Sequence, residues 1–147
     1  MRIRLQSVET NGKAQATGPY MHAMVKTYWR DMTPWGTYSL PEIFETIKNI
    51  PFRPDPPTVE TLMRPYYTMR GLGWGGDCDD KSIALASWAL INHIPYRFVA
   101  VRRADMPTLH HVFTQLLING KWLSVDATYS VNTLGRERDV YAERVII

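Results

Sequence analysis

One cysteine, two adjacent histidines and an aspartate at the end of a strand hold most of the chemistry this chain can do. Cys78 is the only cysteine in 147 residues, preceded by Gly73-Trp74-Gly75-Gly76-Asp77 and followed by Asp79-Asp80-Lys81. A lone cysteine excludes an internal disulfide and a paired-cysteine zinc site, so Cys78 is either an inert buried thiol or a nucleophile. Just inside a helix N-terminus it is well placed to be a thiolate, because unpaired backbone N–H groups and the helix dipole favour the anion. The glycines let the backbone come close to a substrate and aim an N–H at a developing oxyanion. Trp74, Gly76 and Asp77 are therefore the expected substrate-binding and oxyanion residues, with the Cys78 N–H assisting. Asp77, Asp79 and Asp80 pull the other way, since carboxylates beside a sulfur disfavour its ionisation. Asp77 and Asp80 stand at capping-box spacing, which offers them a structural task instead.

A thiol at this position needs a base, and a hairpin supplies one. Asn119-Gly120 is the strongest short turn signal in the chain. A two-residue turn there sets Ile118 opposite Lys121, and by extension Phe113 opposite Asp126. His111 and Asp126 then lie on one face as a diagonal pair, roughly 7–8 Å apart between backbones and within side-chain reach. His110 points to the other face, and a one-residue change of loop length would exchange the two histidines. Cysteine, histidine and aspartate in that order make an activated thiol: the imidazole takes the proton and the carboxylate orients the imidazole.

These residues need a helix and a sheet to hold them. Asp77 to Asn92 reads as the central helix, with Ile83, Ala84, Ala86, Ser87, Leu90 and Ile91 on its apolar face. Tyr96–Arg102, 111–118 and 121–126 read as strands, with a further strand near 140–147. Upstream, residues 2–8 alternate as a short strand and residues 20–32 are a helix. A helix over about 40–49 is announced by Ser39 and Glu42 at capping-box spacing. Residues 51–57 contain four prolines and form an extended connector. A short helix is expected from Thr58 to Met63, stopped by Pro65, with a loop from Tyr66 to Gly76. Trp122 is expected in the core, and Arg102-Arg103 at a solvated strand end. Helices followed by an antiparallel sheet give an α+β layout, in a single domain over 1–147. Within it, 1–57 is an N-terminal helical extension, 58–128 carries the motifs and 129–147 is a C-terminal strand and tail.

Composition narrows the function classes. Hydrophobic residues at 45% and charged residues at 21% fit a folded globular domain. A net charge of +3, with basic residues spread along the chain, calls for neither nucleic acid nor membrane as partner. No apolar run reaches the roughly 18 residues of a membrane span, and residues 1–7 lack the apolar stretch of a leader peptide. A cytoplasm, or a larger particle assembled from it, is the expected location.

The ordered motifs resemble those of the transglutaminase-like superfamily, which is papain-related in fold. The carrying stretches are Gly76-Asp77-Cys78-Asp79-Asp80, then Ile94-Pro95-Tyr96-Arg97, then His111-Val112-Phe113, then Trp122-Leu123-Ser124-Val125-Asp126-Ala127-Thr128. The likeness covers about residues 60–128. It departs from the family pattern at Ala127, where proline is usual, and at Phe113, where tryptophan is usual. The acidic form of the cysteine motif is most similar to small members encoded by bacteriophages and prophages. With that resemblance, the expected location is the cytoplasm of a bacterial host or a phage virion. The resemblance implies a Cys78-His111-Asp126 site acting on amides of a protein or peptide, by hydrolysis or by acyl transfer. It implies no cofactor, although some bacterial relatives bind calcium, and Asp77, Asp79 and Asp80 are the residues that would do so here. The alternative expectation is a non-catalytic structural or assembly protein of a phage virion that keeps the fold, with other phage structural proteins as partners. A metal site joining Cys78 to His110 or His111 lacks the ligand spacing such sites show.

Overall fold

The helix that begins at the cysteine is the centre of the molecule. The structure, a computed structural model, describes residues 8–9, 14–55, 59–71 and 75–147. Helix α4 (Cys78–Ile91) is capped by Asp77, whose side chain accepts from the N–H groups of Asp79 and Asp80. The Asp80 side chain accepts from the Asp77 N–H in return, which completes a capping box. From Asp79 through Ala89 every residue of α4 is buried. The sequence predicts one apolar face for this helix; it is enclosed all round, and Asp79, Asp80, Lys81 and Trp88 are buried along with its small and aliphatic residues.

Three layers do the enclosing. Helix α1 (Gly18–Tyr28) sets Met21, Met24 and Val25 against Ile83 and Ala86 of α4. Helix α1 runs on into 3-10 turns over Trp29–Trp35, where Pro34 removes a backbone donor. Helix α2 (Leu40–Lys48) opens with the Ser39–Glu42 capping box and packs Ile43, Phe44 and Ile47 against Ala84, Leu85 and Trp88. On the other side lies an antiparallel sheet of β3 (Tyr96–Arg102), β4 (His111–Ile118), β5 (Lys121–Val125) and β6 (Glu143–Ile146), in the order β5-β4-β3-β6. Phe98, Val112, Leu116 and Val125 are its contribution to the core around α4. The α+β layout, with helices packed on an antiparallel sheet and Cys78 at the start of the central helix, is thus the observed one.

Two short elements differ from expectation. Pro65 begins a helix, α3 (Pro65–Arg70), where it was read as a stop; a proline at the first helical position lacks only an N–H that would be unpaired anyway. Residues 59–60 are extended instead of helical, in a two-residue strand β2 (Val59–Glu60) paired antiparallel with β1 (Val8–Glu9). Of the expected strand over 2–8 only Val8 falls among the described residues. Trp122 is not core: it is partly exposed on β5, with the Arg97 guanidinium 4.2 Å above its ring. Among the described residues no helix is long and apolar enough to cross a membrane.

Candidate active site

The proline-rich connector sets the cysteine loop in place. Gly76 donates its N–H to Pro51 O at 3.1 Å, and Arg53 donates to Gly76 O at 3.0 Å, a parallel bridge between the connector and the residues before α4. Gly75 has φ 105°, and a Cβ there would lie 2.0 Å from Pro51 O. Only glycine allows this approach, because both the positive φ and the contact with backbone exclude a side chain. These bonds correct one expectation. The Gly76 N–H is spent on Pro51, and the Asp77 N–H on Asp80 Oδ2 at 3.3 Å, so neither is offered to a substrate. Trp74 lies outside the described residues.

The acids around the cysteine divide by task. Asp77 and Asp80 are helix caps, and Asp80 Oδ1 also accepts from the Met63 N–H at 2.8 Å, which ties α4 to the segment before α3. Burial, then the neighbouring Asp80, Asp79 and Asp55 charges, hold Asp77 well above the ordinary carboxylate range. Burial lifts Asp80 to about 7. Asp79 approaches the sulfur, with Oδ1 3.9 Å from Cys78 Sγ. No group of three or more His, Cys, Asp or Glu side chains among the described residues is arranged to hold a metal ion.

The hairpin delivers the pair read from its turn. Asn119 and Gly120 both have positive φ, 51° and 78°, as a type I′ turn requires. Ile118 pairs with Lys121 and Thr114 with Val125, the anticipated register. His111 Nε2 and Asp126 Oδ2 are 2.7 Å apart, and both side chains are almost fully buried. Burial pushes the Asp126 carboxyl up, but the hydrogen bond and charge of His111, with Thr128, outweigh it and hold the group below its ordinary value. An ionised Asp126 accepts, so Nε2–H donates and Nδ1 is left as the basic nitrogen of a neutral imidazole. Asp126 is itself pinned: Oδ1 accepts from the Thr128 N–H at 3.2 Å, and its backbone carbonyl accepts from Asn132 Nδ2 at 3.0 Å.

Cys78 and His111 meet across a hollow of about 110 Å³, lined also by Phe52, Arg103, His110, Tyr129, Arg138, Asp139 and Tyr141. His110 is therefore on the same side as His111. It precedes β4, donating its backbone N–H to Val101 O, and escapes the strict alternation of the strand. Burial, then the charges of Arg103 and His111, lower its basicity. Arg103 also lines the hollow and is not simply a solvated strand end. The Tyr129 ring stacks on His111, centroids 6.1 Å apart at 27°, and the Phe52 ring lies 4.9 Å from Tyr129. The connector thus also packs against the ring that stacks on the imidazole.

Two groups had no sequence signal. Lys81, three residues after the cysteine, is 1% exposed. Its ammonium donates to Ile50 O, to Thr128 O at 2.8 Å and to Lys48 O at 3.4 Å, joining the end of α2 to the segment after Asp126. Burial lowers its pKa to about 8, against the opposing pull of Asp126. Tyr129, Arg138, Asp139 and Tyr141 come from the 126–142 segment, where no periodicity told which side chains turn inward.

No family model and no curated protein matches this chain. Among solved structures it is similar to a candidate cysteine protease from Cytophaga hutchinsonii, at 16% identity and a TM-score of 0.49. The similarity covers 74% of this chain and 37% of that one, so the chain spans little more than a third of that protein's length.

Proposed function

We propose that this chain is a transglutaminase-like thiol enzyme that acts on amide carbonyls of a protein or peptide. The observation that carries the reading is a nucleophile at a helix start sharing one hollow with a histidine that is 2.7 Å from a buried, ionised aspartate. In this reading His111 Nδ1 takes the Cys78 proton, and the thiolate attacks the carbonyl carbon. The tetrahedral oxyanion is met by the Cys78 N–H at the positive end of α4. The imidazolium then protonates the leaving amine, and water or a second amine releases the acyl group from sulfur. Asp126 keeps the imidazole oriented and favours its charged form. Kinship with members encoded by bacteriophages rests on the acidic cysteine motif.

The test is Cys78→Ala against a panel of peptide amides and activated acyl esters. Hydrolysis and acyl transfer should fall to background while the thermal transition stays. Activity retained on any substrate found would refute the mechanism.

A second reading has one observation behind it. The Asp79 carboxylate 3.9 Å from Cys78 Sγ favours the protonated thiol. A chain that kept this architecture as a non-catalytic component of a phage particle would have no need of a thiolate. An ordinary thiol pKa, together with no turnover on the panel, would favour that reading.

A further inference from the structure

The hollow in front of Cys78 carries one positive charge that no acidic side chain among the described residues answers. Its lining includes two arginines and one aspartate, besides the histidines. Arg103 is occupied: Nε is 3.0 Å from Asp105 and Nη1 is 3.8 Å from Asp139. Arg138 makes no ion pair with a described carboxylate. Its guanidinium lies 4.2 Å over the Tyr129 ring, and that ring stacks in turn on His111. The segment that bears it is fixed from the residue before. Glu137 accepts from Ser124 of β5 at 3.0 Å and makes a two-pronged pair with Arg144 of β6. Glu137 is thus held toward the sheet, Asp139 faces Arg103, and Arg138 between them lies over Tyr129 in the hollow that Cys78 also lines.

A guanidinium held flat on an aromatic face keeps its donor edge open, and its planar fork matches a carboxylate. An arginine without a carboxylate of its own, lining the hollow that the acyl group must enter, selects a negatively charged group there. Resting on the thiol-enzyme reading above, we propose that Arg138 forms an anion-recognising subsite. The favoured substrates are then acidic peptides, with a carboxylate next to the amide that Cys78 attacks.

Two small alkylating agents test this without knowledge of the natural substrate. Iodoacetate and iodoacetamide react alike: the thiolate forms an S–C bond to the methylene carbon and iodide leaves. They differ in a carboxylate against a neutral amide. The quantity read is the ratio of their rates at Cys78, relative to the same ratio for the chain unfolded in urea. In the folded protein the ratio should be higher by about tenfold at low salt, a difference of about 1.4 kcal/mol. It should shrink in 0.5 M salt, since the attraction is largely exposed to solvent. Arg138→Gln should bring the ratio down to that of the unfolded chain. Arg136→Gln removes the same charge two residues away and should keep it. A ratio equal to that of the unfolded chain, or equal losses in the two variants, would overturn the subsite while leaving the thiol enzyme standing. A folded Cys78 that reacts with neither reagent would overturn both.

Discussion

The molecule holds two buried carboxylate settings, one at the start of the cysteine helix and one at the end of β5, and they are opposite in kind. At the start of α4, Asp77 and Asp80 face each other, with backbone N–H groups as their partners in the capping box. At the end of β5, Asp126 faces an imidazole and a backbone N–H. Burial alone would raise all three. The first pair is raised, Asp80 to about 7, while Asp126 is held below its ordinary value. The difference is the partner: neighbouring carboxylates add to the burial penalty at Asp77, backbone hydrogen bonds offset it only in part at Asp80, and at Asp126 a group able to become a cation outweighs it. The first setting fits a structural cap, and the second fits the orienting acid of a base. Of the acids beside Cys78, Asp77 and Asp80 have structural work as caps, and Asp79 is the one that works against the thiolate.

The comparison breaks most visibly in activity. Asp126→Asn should cost about 10³–10⁴-fold in kcat, because the imidazole loses the partner that fixes its tautomer. Asp80→Asn should cost less than about tenfold, since an asparagine oxygen can still accept from Met63. Equal losses in the two variants, measured on one substrate, would erase the distinction between cap and orienting carboxylate.

A smaller effect concerns the cation that braces the second setting. Lys81→Met should lower unfolding free energy by about 3 kcal/mol, since it leaves buried carbonyls of Ile50 and Thr128 without a donor. Urea unfolding checks this, and a loss under about 0.5 kcal/mol would mean that water replaces the ammonium.

The smallest effect is on stability against pH, where the two settings have opposite signs. Asp80 keeps a proton in the folded chain up to about 7, whereas in the unfolded chain it loses it near the ordinary aspartate value of 3.8. The folded state binds more protons between those values, so stability falls as pH rises from about 4 to about 7. Asp126, with its folded value lowered, contributes stability that is complete above about 4 and is lost at more acidic pH. Urea midpoints should therefore drop between pH 4.5 and 7.5, and Asp80→Asn should flatten that drop. An unchanged slope in the variant would show that Asp80 is not the group responsible.

How much of this the sequence carried depended on how local the physics was. The Asn119-Gly120 turn fixes register within a few residues, so the pairing of His111 with Asp126 is legible in the sequence. The Ser39–Glu42 box and the start of α4 at Cys78 were legible for the same reason. The contact of Pro51 with Gly75 and Gly76 was not, because nothing in a proline-rich stretch tells what it will lie against. The same contact withdrew Gly76 as an oxyanion donor. Lys81 carried no signal in the sequence; only the packing of α2 and the 126–128 segment around it makes it an internal brace. Pro65 was misread because a proline both ends a preceding helix and suits the first turn of the next one, and sequence alone does not choose between these.

The central claim is that the His111–Asp126 pair activates Cys78 in spite of Asp79. Its most direct measurement is the rate of Cys78 alkylation by iodoacetamide across pH, in the wild-type chain and in His111→Ala. The account predicts a wild-type thiol that reacts well below the ordinary thiol range of about 8.5, and a variant whose profile moves up to that value or above it. Superimposable profiles, both at or above the ordinary value, would contradict it.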